Sequence, residues 1–216
     1  MKRIAITQRV EQVAGYCERR DCLDQAWTTL FECLGMDLIP VPNTLQRPAD
    51  WLSRQGIEGV LLSGGNDLAH LAGAQRSAPE RDKTEFEVLN WARINTLPVL
   101  GVCRGMQMLN HYLGGDLLPV SGHAGCTHSV RKFDSARCSV FDEYQSVNSF
   151  HNWGIEPQSI AADCTAEVVA HDGTVEAFSH KVLPWIGIMW HPERASENAR
   201  LDAQLIRQLY LNQGQI

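Results

Sequence analysis

The chain has 216 residues, 20% of them charged, and a net charge of −6, so it is long enough to bury a large core and is expected to form one domain, residues 1–216. It has no basic run, no apolar stretch of membrane-spanning length and no long apolar segment in the leading MKRIAITQRV, which argues against nucleic-acid partners, membrane partners and a signal peptide. Seven cysteines without a disulfide-like spacing favour a reducing, cytoplasmic location.

The first half of the chain alternates short apolar strands with helical patterns. RIAIT has the β-branched character of a buried first strand, and DLIPVP is interpreted as a strand ended by its prolines. In the first helix, apolar residues from Leu23 to Leu34 repeat at helical spacing, and Gly35 suits the C-terminal cap. Strands are predicted at residues 3–7, 37–42, 59–65 and 97–103, and helices at residues 21–35, 79–95 and 104–115.

The second half predicts a hairpin, a further strand and a closing helix. The Asp172-Gly173 pair between β-rich flanks is a strong hairpin signal within residues 166–178. Residues 182–190 have the pattern of an apolar strand, and residues 196–213 that of a helix. Nearly continuous apolar strands that alternate with helices predict an α/β fold. We expect a single-domain three-layer sandwich with a mainly parallel sheet and helices on both faces.

The stretch LPVLGVCRGMQMLN places a cysteine between an apolar strand and a helix. Gly101 and Gly105 lie two residues to either side of Cys103, as a sharp strand–nucleophile–helix turn requires. A helix N-terminus favours the thiolate form of a cysteine, and the carboxyl ends of parallel strands form the usual ligand crevice. The alternative is that Cys103 is a small buried hydrophobic residue.

The segment IGIMWHPER supplies a candidate base at the end of another apolar strand. Pro192 restricts the backbone of His191, and Glu193 follows two residues later, where an extended chain returns side chains to the same side. A carboxylate there can orient the imidazole, which makes Cys103, His191 and Glu193 a candidate nucleophile, base and orienter. Four other histidines have no acid at a useful spacing: His70, His111, His171 and His180.

Two further patterns bear on the chemistry. Gly64 and Gly65 end a neighbouring strand, where their amides, with the amide of Arg104, could stabilise an oxyanion; the alternative is an ordinary tight turn. The segment HAGCTH holds His123, Cys126 and His128, but three such ligands within six residues are not a typical zinc spacing. We therefore expect no metal and no cofactor.

Three motifs in this order, SGGND, GVCRGMQ and WHPER, resemble the class I glutamine amidotransferase superfamily, and more closely its stand-alone γ-glutamyl hydrolases, peptidase family C26. The resemblance implies a glutamine amidotransferase-like, flavodoxin-like fold. It also implies a γ-glutamyl thioester on Cys103, with His191 and Glu193 as base and orienter and Gly64 or Gly65 as oxyanion donor.

The resemblance extends to substrate binding. It implies that Gln107 holds the glutamyl end and that VNSFHNWGI grips the α-amino and α-carboxyl groups through Ser149, the Phe150 backbone and His151. The RD-x-x-E pattern recurs in the hydrolase branch. We interpret it as helix-start capping within a salt-bridged structural element formed by Arg81, Asp82 and Glu85.

The leaving group is less constrained. ITQR, RDCLDQAW, SFHNW and GIMWHPER are similar to hydrolases that release cytidine diphosphoramidate from a γ-glutamyl conjugate in capsule synthesis, while related hydrolases cleave γ-glutamyl-γ-aminobutyrate. Trp153 favours an aromatic leaving group. Candidate cations for its phosphates are Arg9, Arg19, Arg20 and His123.

Two other functional hypotheses remain open from the sequence. The chain could be a glutaminase subunit that passes ammonia to a separate synthetase, or a non-catalytic sensor that binds a γ-glutamyl compound. In each case the expected ligand is a small γ-glutamyl molecule, and the oligomeric state is open, including a homo-oligomer.

Overall fold

A nine-stranded sheet organises the computed structural model, which describes residues 1–134 and 136–211. The strands are β1 Lys2–Thr7, β2 Arg9–Gln12, β3 Arg19–Cys22, β4 Met36–Val41, β5 Gly59–Leu62, β6 Val99–Val102, β7 Leu118–Pro119, β8 Ala124–Lys132, β9 Ser146–Phe150, β10 Trp153–Gly154, β11 Cys164–Ala170, β12 Val175–His180 and β13 Trp185–Ile188. The α-helices are α1 Gln25–Cys33, α2 Pro48–Gln55, α3 Pro79–Ile94, α4 Arg104–Tyr112 and α5 Ala199–Leu211.

The large sheet has two halves. Its strand order is β4-β1-β5-β6-β13-β12-β11-β8-β9. Five neighbouring strands, β4, β1, β5, β6 and β13, pair in parallel. The strands β12, β11, β8 and β9 extend the sheet with antiparallel pairs. Two small two-stranded sheets, β2-β3 and β7-β10, lie outside it. The carboxyl ends of β5, β6 and β13 are therefore adjacent, which places three loops of interest at one edge.

Apolar cores cover both faces of the parallel half. Ile4 and Ile6 of β1 pack in the same core as Phe31 of α1 and Leu205 of α5. Ala5, between them in β1, points into the other core, which holds buried side chains of α2, α3 and α4. This alternation within one strand is what a two-sided sheet requires. The predicted α/β fold with helices on both faces is confirmed.

Several local predictions are wrong in detail. Asp21 and Cys22 belong to β3 and not to the first helix, which begins at Gln25 after the N-cap Asp24. Pro40 lies inside β4 instead of ending it; β4 is an edge strand, where the missing proline N–H is tolerated. The short helix α2 was not predicted. The end of the predicted closing helix, residues 212 and 213, lies outside the described residues.

Within residues 1–134 and 136–211, no helix combines the length and the apolar character needed to cross a membrane.

Candidate active site

Cys103 occupies the junction between β6 and α4 with an unusual backbone. Its φ is +53° and its ψ is −109°, a conformation that non-glycine residues rarely adopt, and it serves as the N-cap of α4. Its N–H donates to the carbonyl of Ile188 at the end of β13, with an N···O distance of 2.8 Å. Strained backbone of this kind is found at functional sites, because the surrounding structure must hold it in place.

The glycines on either side of Cys103 make this turn sterically feasible. A Cβ on Gly101 would lie 2.6 Å from the carbonyl oxygen of Gly105. A Cβ on Gly105 would collide with the carbonyl oxygen of Leu62 in the neighbouring β5. Both positions therefore exclude any side chain, so helix α4 can start directly against β5 and β6.

His191 lies beside Cys103, three residues beyond the end of β13. A Cβ built on Gly64 would lie 2.9 Å from His191 Cε1, 3.7 Å from His191 Nε2 and 3.6 Å from Cys103 Cβ. His191 Nδ1 is 2.7 Å from Glu193 Oε1, and both side chains are buried. His191 Nε2 has no hydrogen-bond partner among the described residues. The carboxylate thus orients one ring nitrogen, and the other is available to the thiol.

The environment favours a protonated His191. Burial alone would lower its pKa, but the adjacent Cys103 thiolate and the Glu193 carboxylate outweigh burial and raise the pKa of His191 from 6.5 to about 9. The imidazolium form of His191 is therefore expected at neutral pH, and the general preference of a helix N-terminus for a thiolate makes an ion pair with Cys103 the working hypothesis.

Asn148 is a positioning residue that the sequence did not reveal. Its side-chain oxygen accepts from the His191 N–H at 2.8 Å, and its amide nitrogen donates to the His191 carbonyl at 3.0 Å. This reciprocal pair fixes the histidine backbone on β9, the strand that also carries Ser149 and Phe150. The motif VNSFHNWGI contains this asparagine, but its role becomes visible only in the structure, where it lies against the backbone of His191.

The glycine turn after β5 is held by the buried Arg81. One guanidinium nitrogen donates to the carbonyls of Gly64 and Gly65, at 3.0 and 2.6 Å, and the other to the carbonyl of Ser63 at 2.6 Å. With its carbonyls fixed in this way, the turn is held rigidly against Cys103. The roles of the Gly64, Gly65 and Arg104 amides as oxyanion donors stay predictions.

Glu85 connects this turn to the nucleophile turn. Its carboxylate is bonded to Arg81 at 2.8 Å, to the Thr7 hydroxyl at 2.7 Å and to Arg104, the residue after Cys103. Burial alone would raise its pKa, but the two guanidinium groups lower it below 4.5. The salt-bridged element expected from RD-x-x-E is thus present, and it joins both halves of the candidate site.

The capping part of that interpretation is wrong. Helix α3 starts after Ala78, which makes no side-chain cap, and Asp82 instead accepts from the N–H of Ala69 and pairs with Arg104.

We expect the variant Glu85→Gln to be destabilised by about 3–5 kcal/mol, because it leaves two buried guanidinium groups without their shared counter-charge. The comparison is urea unfolding at pH 7 against Glu80→Gln, which removes only the surface pair with Arg19 and is expected to cost about 1 kcal/mol or less. Since the folded-state pKa of Glu85 is below 4.5, its carboxylate stabilises the fold above that pH and loses the effect on acidification. The variant should lack this acid dependence; equal stability of both variants would contradict the role of Glu85.

The residues predicted to bind substrate fall into two groups. Phe150 is 43% exposed, and its ring meets His191 edge-on with 5.7 Å between ring centroids. Gln107, Ser149 and His151 are buried. Gln107 donates to the Trp153 carbonyl at 2.9 Å, and the Ser149 hydroxyl donates to the His123 carbonyl at 2.6 Å. Their contribution to substrate binding stays a prediction.

A cavity of about 180 Å³ opens above the thiol. Cys103, His191, Glu193, Gly64, Gly65 and Phe150 all line it, together with three arginines, Arg9, Arg76 and Arg194. The guanidinium of Arg194 lies 3.9 Å from the centre of the Phe150 ring. Of the predicted phosphate-binding cations, only Arg9 lines this cavity.

The other predicted cations and Trp153 lie elsewhere. Arg19 and Arg20 are on the exposed β3, paired with Glu80 and Glu18, and His123 is buried on the antiparallel half. The Trp153 side chain does not line the cavity, so within the described residues Phe150 is the exposed aromatic ring at the thiol.

A second cavity of about 450 Å³ lies at the other edge of the sheet, around Pro98 and Trp185, where β6 and β13 begin. Its cysteine, Cys138, is buried, and burial raises the pKa of that thiol to about 11. Such a thiol is inert at neutral pH, and ligand crevices of parallel sheets lie at the opposite, carboxyl ends of strands. The Cys103 cavity is therefore the candidate active site.

Comparison with known proteins gives concordant findings. The family model for peptidase C26 matches residues 38–193, which contain Cys103, His191 and Glu193. The chain is 35% identical over 209 residues to the gamma-glutamyl-CDP-amidate hydrolase of Campylobacter jejuni, and the match covers 96% of each chain. It is also 32% identical over 162 residues to the carbamoyl phosphate synthase small chain of Nitratidesulfovibrio vulgaris. That match covers 74% of this chain and 38% of the relative.

Among solved structures, a glutamine amidotransferase from Thermotoga maritima has the same fold. Its TM-score is 0.67, and the match covers 96% of both chains at 14% sequence identity.

Proposed function

The chain belongs to the peptidase C26 family, and on that premise we propose that it is a cysteine-dependent hydrolase that cleaves γ-glutamyl amide bonds through a γ-glutamyl thioester. The observation that carries the proposal is the Cys103 turn, with its left-handed backbone, beside a His191 ring that Glu193 orients. Cys103, His191 and Glu193 all line one cavity at the carboxyl ends of β6 and β13, which supports their proposed roles as nucleophile, base and orienter.

The mechanism follows from the charge state of the pair. The Cys103 thiolate attacks the γ-carbonyl carbon, and the negative charge develops on the carbonyl oxygen next to the Gly64–Gly65 turn and the first amide of α4. The His191 imidazolium then donates its proton to the departing nitrogen. The neutral imidazole takes a proton from water, which hydrolyses the thioester and releases glutamate.

We further propose that the leaving group carries phosphate. The best candidate for the substrate is the γ-glutamyl conjugate of cytidine diphosphoramidate. The three arginines that line this small cavity are suited to phosphate oxygens, and Phe150 offers an aromatic surface. The C. jejuni relative, which matches over almost its whole length, is named for such a substrate. Hydrolysis of this substrate by the present chain would release cytidine diphosphoramidate, an activated phosphoramidate. We infer that this product is used in the cytoplasm to modify a capsule polysaccharide.

The substrate is tested by measuring glutamate release across γ-glutamyl nucleotide phosphoramidates and phosphate-free γ-glutamyl amines such as γ-glutamyl-γ-aminobutyrate. We expect the phosphoramidate to be preferred in kcat/KM. Preference for γ-glutamyl-γ-aminobutyrate would instead support a hydrolase of polyamine breakdown. Turnover of glutamine that rises only when a synthetase is added would support a glutaminase subunit. The similarity to a carbamoyl phosphate synthase small chain is the reason to include this alternative.

The arginine assignment gives a separate prediction. Arg9→Ala and Arg76→Ala should each lower kcat/KM for the phosphoramidate by about 10- to 100-fold, because a charge-assisted bond to phosphate is lost. The same variants should change kcat/KM for a neutral γ-glutamyl amine by about threefold or less. Arg20→Ala, outside the cavity, is the matched control and should behave as the unaltered protein. Equal losses on both substrates would remove the arginines from leaving-group recognition.

A further inference from the structure

Four buried side chains converge on the antiparallel half of the sheet. His123 precedes β8, His128 lies in β8, His151 follows β9 and Glu176 lies in β12. None is more than 5% exposed. One nitrogen from each imidazole and a carboxylate oxygen lie within 4.8 Å of one another. None of the four lines the Cys103 cavity.

The converging atoms have no hydrogen-bond partners among the described residues. They are His123 Nδ1, His128 Nε2, His151 Nε2 and both carboxylate oxygens of Glu176. The distances from Glu176 Oε1 to the nearest imidazole nitrogens, 3.7 Å for His123 and 3.6 Å for His151, are too long for hydrogen bonds. Buried polar atoms without partners are costly, so this group of them calls for a further ligand.

In His123 and His151 the opposite ring nitrogen is already occupied in a way that aims a lone pair at the centre. His151 Nδ1 is 3.0 Å from the Trp153 carbonyl, which can only accept, so the proton is on Nδ1 and Nε2 is free to coordinate. His123 Nε2 is 2.8 Å from Asp172 Oδ2, and Asp172 is itself held by the hydroxyl and N–H of Thr174 at 2.7 and 3.0 Å. Carbonyl and carboxylate partners of this kind orient metal-binding histidines.

We propose that His123, His128, His151 and Glu176 bind a structural zinc ion. Three imidazoles and one carboxylate suit zinc, whereas calcium and magnesium prefer all-oxygen sites. Four protein ligands close a tetrahedral site and leave no position for substrate, which is typical of structural and not of catalytic zinc. The ligand set differs from the HAGCTH grouping, because the Cys126 sulfur points to the Gly122 carbonyl at 3.1 Å while His151 and Glu176 arrive from other strands.

The site would hold together the segments next to the active site. The His123 carbonyl accepts from both the Ser149 hydroxyl and the His151 N–H, at 2.6 and 3.0 Å. The Trp153 carbonyl that fixes His151 also accepts from Gln107 of α4. The zinc ion therefore fixes β8, β9 and the start of β10 relative to one another, and positions the Gln107 partner without touching the thiol.

The test begins with the unaltered protein expressed in zinc-supplemented medium. We expect elemental analysis to find about one zinc per chain after dialysis. Chelation should remove the metal and lower Tm by roughly 5–10 °C, with recovery when zinc is restored. Cobalt substituted into the chelated protein should give the intense visible bands of a tetrahedral site. A metal-free protein that neither gains Tm with zinc nor shows cobalt bands would overturn the proposal.

Variants assign the ligands. Glu176→Gln keeps the shape but removes the anionic donor, and it should lose zinc together with the cobalt bands. Asp172→Asn should weaken zinc affinity by about 10- to 100-fold, as expected for the partner of a ligating histidine. Two controls, His171→Asn and Cys126→Ser, should keep about one zinc per chain. Zinc retained in Glu176→Gln or lost in Cys126→Ser would reject this ligand set. Because these readouts need no substrate, they are independent of the proposed hydrolase activity.

Discussion

Replacing Cys103 with alanine should reduce glutamate release by at least about 10⁴-fold, because the variant lacks the thiol at the start of α4 that lies beside His191 and forms the thioester. The fold should be retained. The side chain is small, and the left-handed turn is fixed by the Cys103 N–H bond to Ile188 and by the close approach of Gly105 to Leu62. Circular dichroism and Tm establish that the variant is folded, and a coupled glutamate assay measures the loss.

The matched control is Cys164→Ala. Cys164 is also buried, but burial raises the pKa of its thiol to about 12, so it should not be nucleophilic. The control should lose some stability and keep its turnover. A glutamine-like diazo-ketone should label the unaltered chain and the control at residue 103 and leave Cys103→Ala unlabelled. Substantial turnover by Cys103→Ala would end the thioester mechanism, and an unlabelled, inactive native chain would support the sensor hypothesis.

The same variant tests the charge pair. With the thiolate absent, its contribution to the raised pKa of His191 is lost. The His191 titration followed by NMR should therefore shift to lower pH in Cys103→Ala. An unchanged titration would mean that Cys103 and His191 are not electrostatically paired in solution.

The parts of the site that depend on local rules could be predicted from the sequence. Glycines two residues to either side of Cys103 can be explained only by a turn in which the helix starts against the sheet, and the structure shows both approaches. The contact between His191 and Glu193, 2.7 Å, was also predicted, but from extended backbone, whereas the chain makes it through a turn in which the Arg194 N–H donates to the His191 carbonyl at 3.3 Å. Short, nearly continuous apolar runs predicted which segments are strands of a parallel sheet.

The missed features depend on how elements that are distant in sequence are placed against one another. Asn148 reaches the His191 backbone across 43 residues of sequence, and Glu85 reaches Arg104 across 19. The histidine cluster gathers ligands from β8, β9 and β12, of which the sequence grouped only those in HAGCTH. A slip of one residue in β8, β9 or β12 would point their side chains to the other face, and the packing of α3 against α4 is likewise set by the whole fold, so composition and spacing cannot determine such contacts.

Replacing His191 with asparagine should lower kcat by about 10⁴-fold, because the variant loses both the proton donor for the departing nitrogen and the base that activates water. Glu193→Gln should lose less, about 10²-fold, since the amide oxygen can still accept from Nδ1 while the carboxylate charge is gone. If the two variants were equally impaired, Glu193 would have a larger part than orienting the ring.

The pH dependence separates this role from a structural one. The folded-state pKa of His191 is about 9, above its ordinary 6.5, so the imidazolium persists at neutral pH and is lost as the pH rises through about 9. In the unaltered chain kcat/KM should therefore fall on an alkaline limb near pH 9, a value that belongs to the thiolate–imidazolium pair as a unit.

Alkylation of Cys103 by iodoacetamide should already be fast at neutral pH and should require more alkaline conditions in His191→Asn. Asn148→Ala, which removes only the clamp on the His191 backbone, should lower kcat and leave the limb of the remaining activity near pH 9. Identical alkylation profiles in the native chain and His191→Asn would show that the imidazole does not ionise the nucleophile. Another group would then have to accept the proton of the Cys103 thiol.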